Sequence, residues 1–279
     1  MTTRTLSLAY SPCPNDTYIF AALTNGLLPN APPVRAVLED VDRLNDAALE
    51  GRYELTKVSY GAIPFLMDRY RILRSGGALG RGCGPLLVAR PGAGDTLADF
   101  KERLVAIPGE RTTAFMLLRL ALGITPPSIS MRFDTIVEAV ASGAADAGLI
   151  IHESRFTYER AGLVRIADLG DWWESTSGMP IPLGAILARN DLDGALARRA
   201  NDAIARSLRF ARENESRVYE YVRRHAFEMD DAVMRKHVEL YVNAFSDDVG
   251  DDGIAAAGKL FGRAYAAGII PDHKEPNFV

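Results

Sequence analysis

Short apolar runs alternate with stretches of helical period along the whole chain, and this alternation is the feature that most constrains the fold. A strand too short to bury itself alone, followed by a helix with one apolar face, is the repeating unit of helices packed on a mainly parallel sheet. The fold class is therefore α/β. LSLAY (residues 6–10) reads as the first strand, and the following SPCPND offers Asn15 and Asp16 as caps for a helix beginning near Thr17. PVRAVLED is a second strand, DVDRLNDAALEG a helix ended by Gly51, and LTKVSYGAIPFLM a strand running into another helix. GPLLVAR is a further strand. Before it, the five glycines of Ser75 to Gly84 mark either a surface turn or backbone that passes close to another group.

After Arg90 the punctuation PGAGD opens a second series, with RLVAIPG, ISMRF and ADAGLIIH as strands and TTAFMLLRLALG and DTIVEAVASG as helices. DWWESTSGMP is a polar stretch, PLGAILAR a strand, and the chain from Leu192 onward is helical in period. At 279 residues the chain is about twice the usual ~150 per domain. Two lobes or one large domain are expected, and in the two-lobed reading residues 1–88 plus 189–279 form a discontinuous lobe one and 89–188 form lobe two. The strands at 85–90 and 182–188 would cross between them, with the ligand cleft at the strands' C-terminal ends.

The balance of 32 basic and 36 acidic residues leaves no surplus of positive charge, so nucleic acid is not an expected partner. No run approaches the roughly 20 apolar residues a membrane span needs. The N-terminus lacks a signal-peptide pattern, so no membrane insertion and a cytoplasmic location are expected. Cys13 and Cys83 form no CxxC pair, and with no HExxH spacing the expectation is no metal and no redox role.

Three features carry chemistry. His152 follows the apolar AGLII directly, placing an imidazole at a strand's end, where it suits a general base or merely hydrogen-bonds a loop carbonyl. Glu153 and Arg155 beside it would orient the ring or bind a carboxylate, or are simply solvated. In PGERTTAF, Thr112, Thr113 and Ala114 open a helix whose free N–H groups favour an anion, with simple threonine capping as the plain alternative. It is no Walker A motif, and no GxGxxG follows the first strand. In TKVSYG, Lys57 and Ser59 lie two apart on one face of a strand end, where they face the cleft or are simply a buried serine and a solvated lysine. Trp172 and Trp173 either flank the cleft or fill a lobe surface. His225, His237 and His273 lie in or near the helical tail and read as structural.

SPCPNDTYIF, TKVSYGA, SGGALGRGCGPL, GLIIHESRFTYERAGL, DLGDWWE, PIPLGAILAR and YVNAFSDDVG together resemble the 1,4-dihydroxy-6-naphthoate synthases of the futalosine route to menaquinone. The resemblance covers most of the chain. It implies the two-lobed fold of type II periplasmic binding proteins, used for catalysis in the cytoplasm. It also implies a carbon–carbon lyase that converts cyclic dehypoxanthinylfutalosine to 1,4-dihydroxy-6-naphthoate without a cofactor. The family's proton-accepting histidine falls on His152, and its substrate-binding positions on Lys57, Val58 and Ser59 and on Thr112, Thr113 and Ala114. Asn15, Asp16, Glu153 and Arg155 would support them. The expected partner is a small-molecule substrate carrying a carboxylate, and a homodimer is the default assembly. Chorismate dehydratase of the same pathway and a non-catalytic small-anion binding protein are the rival readings.

Overall fold

The computed structural model describes residues 4–226, 230–272 and 275–279. Eleven strands are found there: β1 (Leu6–Tyr10), β2 (Val34–Leu38), β3 (Leu55–Ser59), β4 (Tyr70–Ile72), β5 (Ala78–Gly80), β6 (Leu86–Ala89), β7 (Val105–Ile107), β8 (Ser128–Ser130), β9 (Ala147–Ile150), β10 (Val164–Asp168) and β11 (Ile181–Arg189). The helices are α1 (Pro14–Thr24), α2 (Val41–Leu49), α3 (Thr113–Leu122), α4 (Ile136–Ser142), α5 (Ser154–Thr157) and α6 (Leu169–Ser177). A helical tail follows with α7 (Gly194–Glu213), α8 (Glu215–His225), α9 (Asp231–Tyr241), α10 (Ala244–Asp247) and α11 (Gly250–Ala266). No helix among the described residues is long and apolar enough to cross a membrane.

The strands form two sheets, the first in the order β2-β1-β3-β11-β4 with β5 also on β11, the second in the order β10-β6-β9-β7-β8. Within each, the strands linked by local helices are parallel, whereas β11 runs antiparallel to β3 and β6 antiparallel to β9 and β10. The reversed strands are those that enter a sheet after crossing from the other one. A helical crossover within one sheet enforces parallel pairing, and a chain arriving from elsewhere is free of that constraint.

Sheet membership also moves both crossings toward the N-terminus. β6, expected in lobe one up to residue 88, is internal to the second sheet, and β11, expected in lobe two up to 188, is internal to the first. Each is apolar along nearly its whole length because it is covered on both faces.

Local chemistry accounts for three further departures. α1 starts at Pro14 behind Cys13, not near Thr17, because proline's fixed φ suits the first helical position. Asn15 and Asp16 are therefore buried residues of its first turn and not its caps. After β3 the chain makes only a short 3-10 turn over Ile63–Phe65. DWWESTSGMP, read as a polar stretch, supplies most of α6: Asp168 caps it by accepting from the amides of Gly170 and Asp171, and Leu169, Trp173 and Ser177 form its buried stripe. Trp173 fills the interior and donates its Nε1–H to the Pro180 carbonyl at 3.0 Å.

The tail packs back on the first sheet, where α1, α7, α8 and α9 share a core including Phe20, Ile204, Leu208 and Val222. A second core runs through both sheets, joining Tyr60 and Ile63 after β3 to Phe115 and Leu118 of α3 and to Phe261 of α11. Each such side chain contributes roughly 1.5–3 kcal/mol by leaving water. The start of α3 is thus pressed against the turn after β3, and Gly61 is what permits the approach. A Cβ there would lie 2.7 Å from the carbonyl carbon and oxygen of Thr112 and 2.8 Å from the Arg111 oxygen, all backbone atoms that cannot rotate away. Gly61→Ala is expected to lower stability by about 1–3 kcal/mol through this overpacking. Urea denaturation checks it, and an unchanged midpoint would show that the two sheets separate at no cost.

Candidate functional site

A cavity opens between the sheets. It collects the C-terminal ends of β1, β3 and β9 and the N-terminal ends of α1 and α3. Strand ends and helix starts meet there because every parallel strand leaves its sheet on that side.

The floor carries a buried ion pair. The Lys57 ammonium at the end of β3 contacts Asp16 Oδ1, and Asp16 also accepts from Ser11 Oγ and Asn15 Nδ2, each at 2.9 Å. Both charged side chains are almost wholly buried, so neither is tolerable without the other. Lys57, Val58 and Ser59 all line the cavity, with Ser59 held by Asn45, whose Oδ1 accepts from the Ser59 amide at 2.9 Å. Since Asp16 neutralises Lys57, the lysine is not a free cation for an anionic ligand.

At the facing wall, Thr112, Thr113 and Ala114 line the cavity, and Thr112 is the cap of α3. The two threonine hydroxyls are engaged with protein. Thr112 Oγ1 donates to the Gly109 carbonyl at 2.7 Å, while Thr113 Oγ1 donates to the Leu183 carbonyl at 2.8 Å and accepts from the Gly61 amide at 3.0 Å. What remains for an anion is the positive end of the helix, whose first-turn amides have no carbonyl four residues back.

His152 follows β9 with φ of 55°, one of two non-glycine residues with positive φ among those described. A left-handed histidine costs of order 1–3 kcal/mol and persists only where surroundings hold it; such strain clusters at functional sites. Phe133 meets the ring edge-on at 4.8 Å between centroids. Its Nε2 is sealed from solvent with no hydrogen-bond partner among the described residues. Burial pushes the imidazole down to about 4, with Asp16 opposing and Lys57 reinforcing that shift, so the ring is neutral near pH 7 and able to accept a proton.

Glu153 is buried but does not line the cavity. Arg155, expected to orient the ring or take a carboxylate, is committed elsewhere: it pairs with Asp168 at 2.7 Å and donates to the carbonyls of Gly82 and Gly84. It thereby clamps the end of the glycine-rich loop. Cys13, His152 and Glu153 bring a sulfur, a nitrogen and a carboxylate oxygen within 4.8 Å of one another, the arrangement among the described residues with donors for a metal ion. Burial pushes the Cys13 thiol well up, so a metal would have to displace its proton.

His237 is the residue that sequence reasoning missed. Read as structural, it lies on α9, is fully buried and lines the cavity, its ring stacked on His152 at 6.0 Å between centroids and 14° between planes. The signal was present: Val233, Met234, His237, Val238 and Tyr241 form the buried stripe of α9, and a histidine in such a stripe needs a polar partner. His225 remains at the end of α8 against Tyr221. His273 lies outside the described residues. Trp172 and Trp173 do not line the cavity.

A family model described as menaquinone biosynthesis matches residues 6–266. This chain belongs to the menaquinone biosynthesis family. Within that family it is 51% identical over 275 residues to a 1,4-dihydroxy-6-naphthoate synthase of Thermus thermophilus, covering 98% of this chain and 99% of the relative. It is 46% identical over 276 residues to the enzyme of the same name from Streptomyces coelicolor, covering 97% and 96%. The alkanesulfonate-binding protein SsuA of Xanthomonas axonopodis pv. citri, solved with MOPS bound, superposes with a TM-score of 0.76 at 15% identity over 98% of this chain and 96% of that one. The fold is thus periplasmic-binding-protein-like.

Two outcomes follow from the site's electrostatics. Lys57→Met leaves the Asp16 carboxylate buried without its cation and is expected to cost about 3–5 kcal/mol in urea denaturation; a loss below ~1 kcal/mol would show that Asp16 finds another partner. For His152, the folded value of about 4 lies below the ordinary 6.5, so the unfolded chain binds the proton first. Stability therefore falls as pH drops through 6.5 toward 4. His152→Asn should melt with a shallower dependence on pH across that window than the wild type, and parallel curves would contradict the neutral ring.

Proposed function

We propose that this chain is a carbon–carbon lyase that converts cyclic dehypoxanthinylfutalosine to 1,4-dihydroxy-6-naphthoate, with His152 as the general base. Identity of 51% and 46% over nearly the full length to enzymes named for that product supports the reaction. The observation that carries the base is the unpartnered Nε2 of His152, a cavity-lining residue held at a positive backbone φ. In this reading the two sheets are the cores of two lobes that close on the substrate in the cytoplasm.

The substrate carboxylate lies at the start of α3, where helix dipole and amides receive it. His152 Nε2 takes a proton from a substrate hydroxyl, the oxygen's electrons form a carbonyl, and the adjacent carbon–carbon bond breaks. The bonding pair passes into the ring system, which becomes the aromatic naphtholate and recovers the proton from His152. Aromatisation drives the step, so the protein supplies position, exclusion of water and one base. Negative charge on the bound substrate raises the basicity of the imidazole above its value in the empty cavity.

Incubating wild type and His152→Asn with cyclic dehypoxanthinylfutalosine, and following the naphthoate by chromatography, tests both parts. Turnover should fall at least ~10²-fold in the variant. Turnover within tenfold of wild type removes His152 from proton transfer. Product from neither protein sinks the reaction itself and favours chorismate dehydratase or an anion binder, with chorismate the next compound to try.

A further inference from the structure

We propose that His237 is a second substrate-contacting residue, an imidazole locked as its Nε2–H tautomer that accepts a hydrogen bond from a hydroxyl of the bound molecule through Nδ1. The inference rests on the functional reading above for the identity of that molecule and on a hydrogen-bond chain for the rest. The chain begins at Lys57. Its ammonium pairs with Asp16, and a carboxylate only accepts, so the Asn15 group 2.9 Å from Asp16 Oδ1 is the amide nitrogen. Asn15 Oδ1 is thereby turned to His237 Nε2, also at 2.9 Å. An amide oxygen only accepts as well, so Nε2 carries the hydrogen. The opposite nitrogen, Nδ1, then holds a bare lone pair in the neutral ring.

That lone pair has no protein partner among the described residues. The ring is fully buried, packs against Tyr241 at 4.7 Å between centroids and against His152, and lines the cavity. Burial, with His152 and Lys57 nearby, pushes its basicity well below the ordinary value, so it stays neutral and Nδ1 stays an acceptor. A buried acceptor left unsatisfied is costly, and a hydroxyl from a bound molecule supplies what the protein does not. The demand is selective: a hydroxyl satisfies Nδ1, whereas an apolar group or another acceptor does not. His152 and His237 then divide the work, the first moving a proton and the second choosing hydroxylated ligands.

Calorimetric titration with 1,4-dihydroxy-6-naphthoate and with naphthalene-2-carboxylate, which lacks both hydroxyls, reads this contact in wild type and His237→Phe. Affinity for the dihydroxy acid should fall about tenfold in the variant, the equivalent of one hydrogen bond, and affinity for the unhydroxylated acid less than threefold. Equal losses for the two acids overturn the proposal. Because a fully buried histidine is replaced, the wild type labelled with nitrogen-15 in histidine provides a check free of folding effects. His237 should show a protonated Nε2 and a bare Nδ1, and only the dihydroxy acid should shift the Nδ1 resonance toward the hydrogen-bonded position. A protonated Nδ1, or no selective shift, overturns the proposal while leaving the lyase reading intact. A wild type that binds neither acid removes the functional reading, and this proposal falls with it.

Discussion

The buried pair of Lys57 and Asp16 is the contact on which the rest of the site depends. Two opposite charges almost wholly removed from water are stable only when geometry and further hydrogen bonds satisfy them, and here Ser11 and Asn15 complete the carboxylate's set. That requirement fixes the first turn of α1 against the end of β3. It also explains why this turn is buried instead of solvated, as the start of a surface helix would be. From Asp16 the orientation passes to Asn15 and then to His237, so one ion pair sets the direction of a hydrogen-bond chain that ends on the cavity wall.

The opposite wall is built by close backbone approach. Gly61 lets the start of α3 reach the turn after β3, and Thr113 joins them by accepting from the Gly61 amide and donating to the Leu183 carbonyl. The positive end of α3 consequently faces a cavity whose cation is already neutralised. A site made this way offers an anion a dipole, and a proton a neutral imidazole, in surroundings where burial keeps both histidines uncharged.

Sheet-forming runs and the long helices were legible because their periods of two and 3.6 residues are written into the order of apolar side chains. α6 was not, since its stripe of Leu169, Trp173 and Ser177 is masked by the polar residues between. The reversed direction of β6 and β11 was also invisible, because apolar pattern says nothing about which way a strand runs. At the site, His152 stood out by its place directly after a strand, and Thr112 by the capping chemistry of a helix start. His237 did not stand out: a histidine within a helical stripe looks the same whether it faces a core or a cavity.

What the sequence alone determined is the set of local decisions: α/β class, strand and helix identity, the helix start at Thr112, a histidine at the end of β9, and the absence of excess positive charge. Tertiary structure decided everything that depends on residues far apart in the chain meeting in space. It put Lys57 beside Asp16 and spent both threonine hydroxyls on backbone partners. It committed Arg155 to Asp168 and stacked His237 on His152 at 6.0 Å between ring centroids, although the two are far apart in the sequence. Period and propensity act over a few residues and leave a mark in the sequence. Burial, ion pairing and tautomer choice are set by neighbours that only the folded chain supplies.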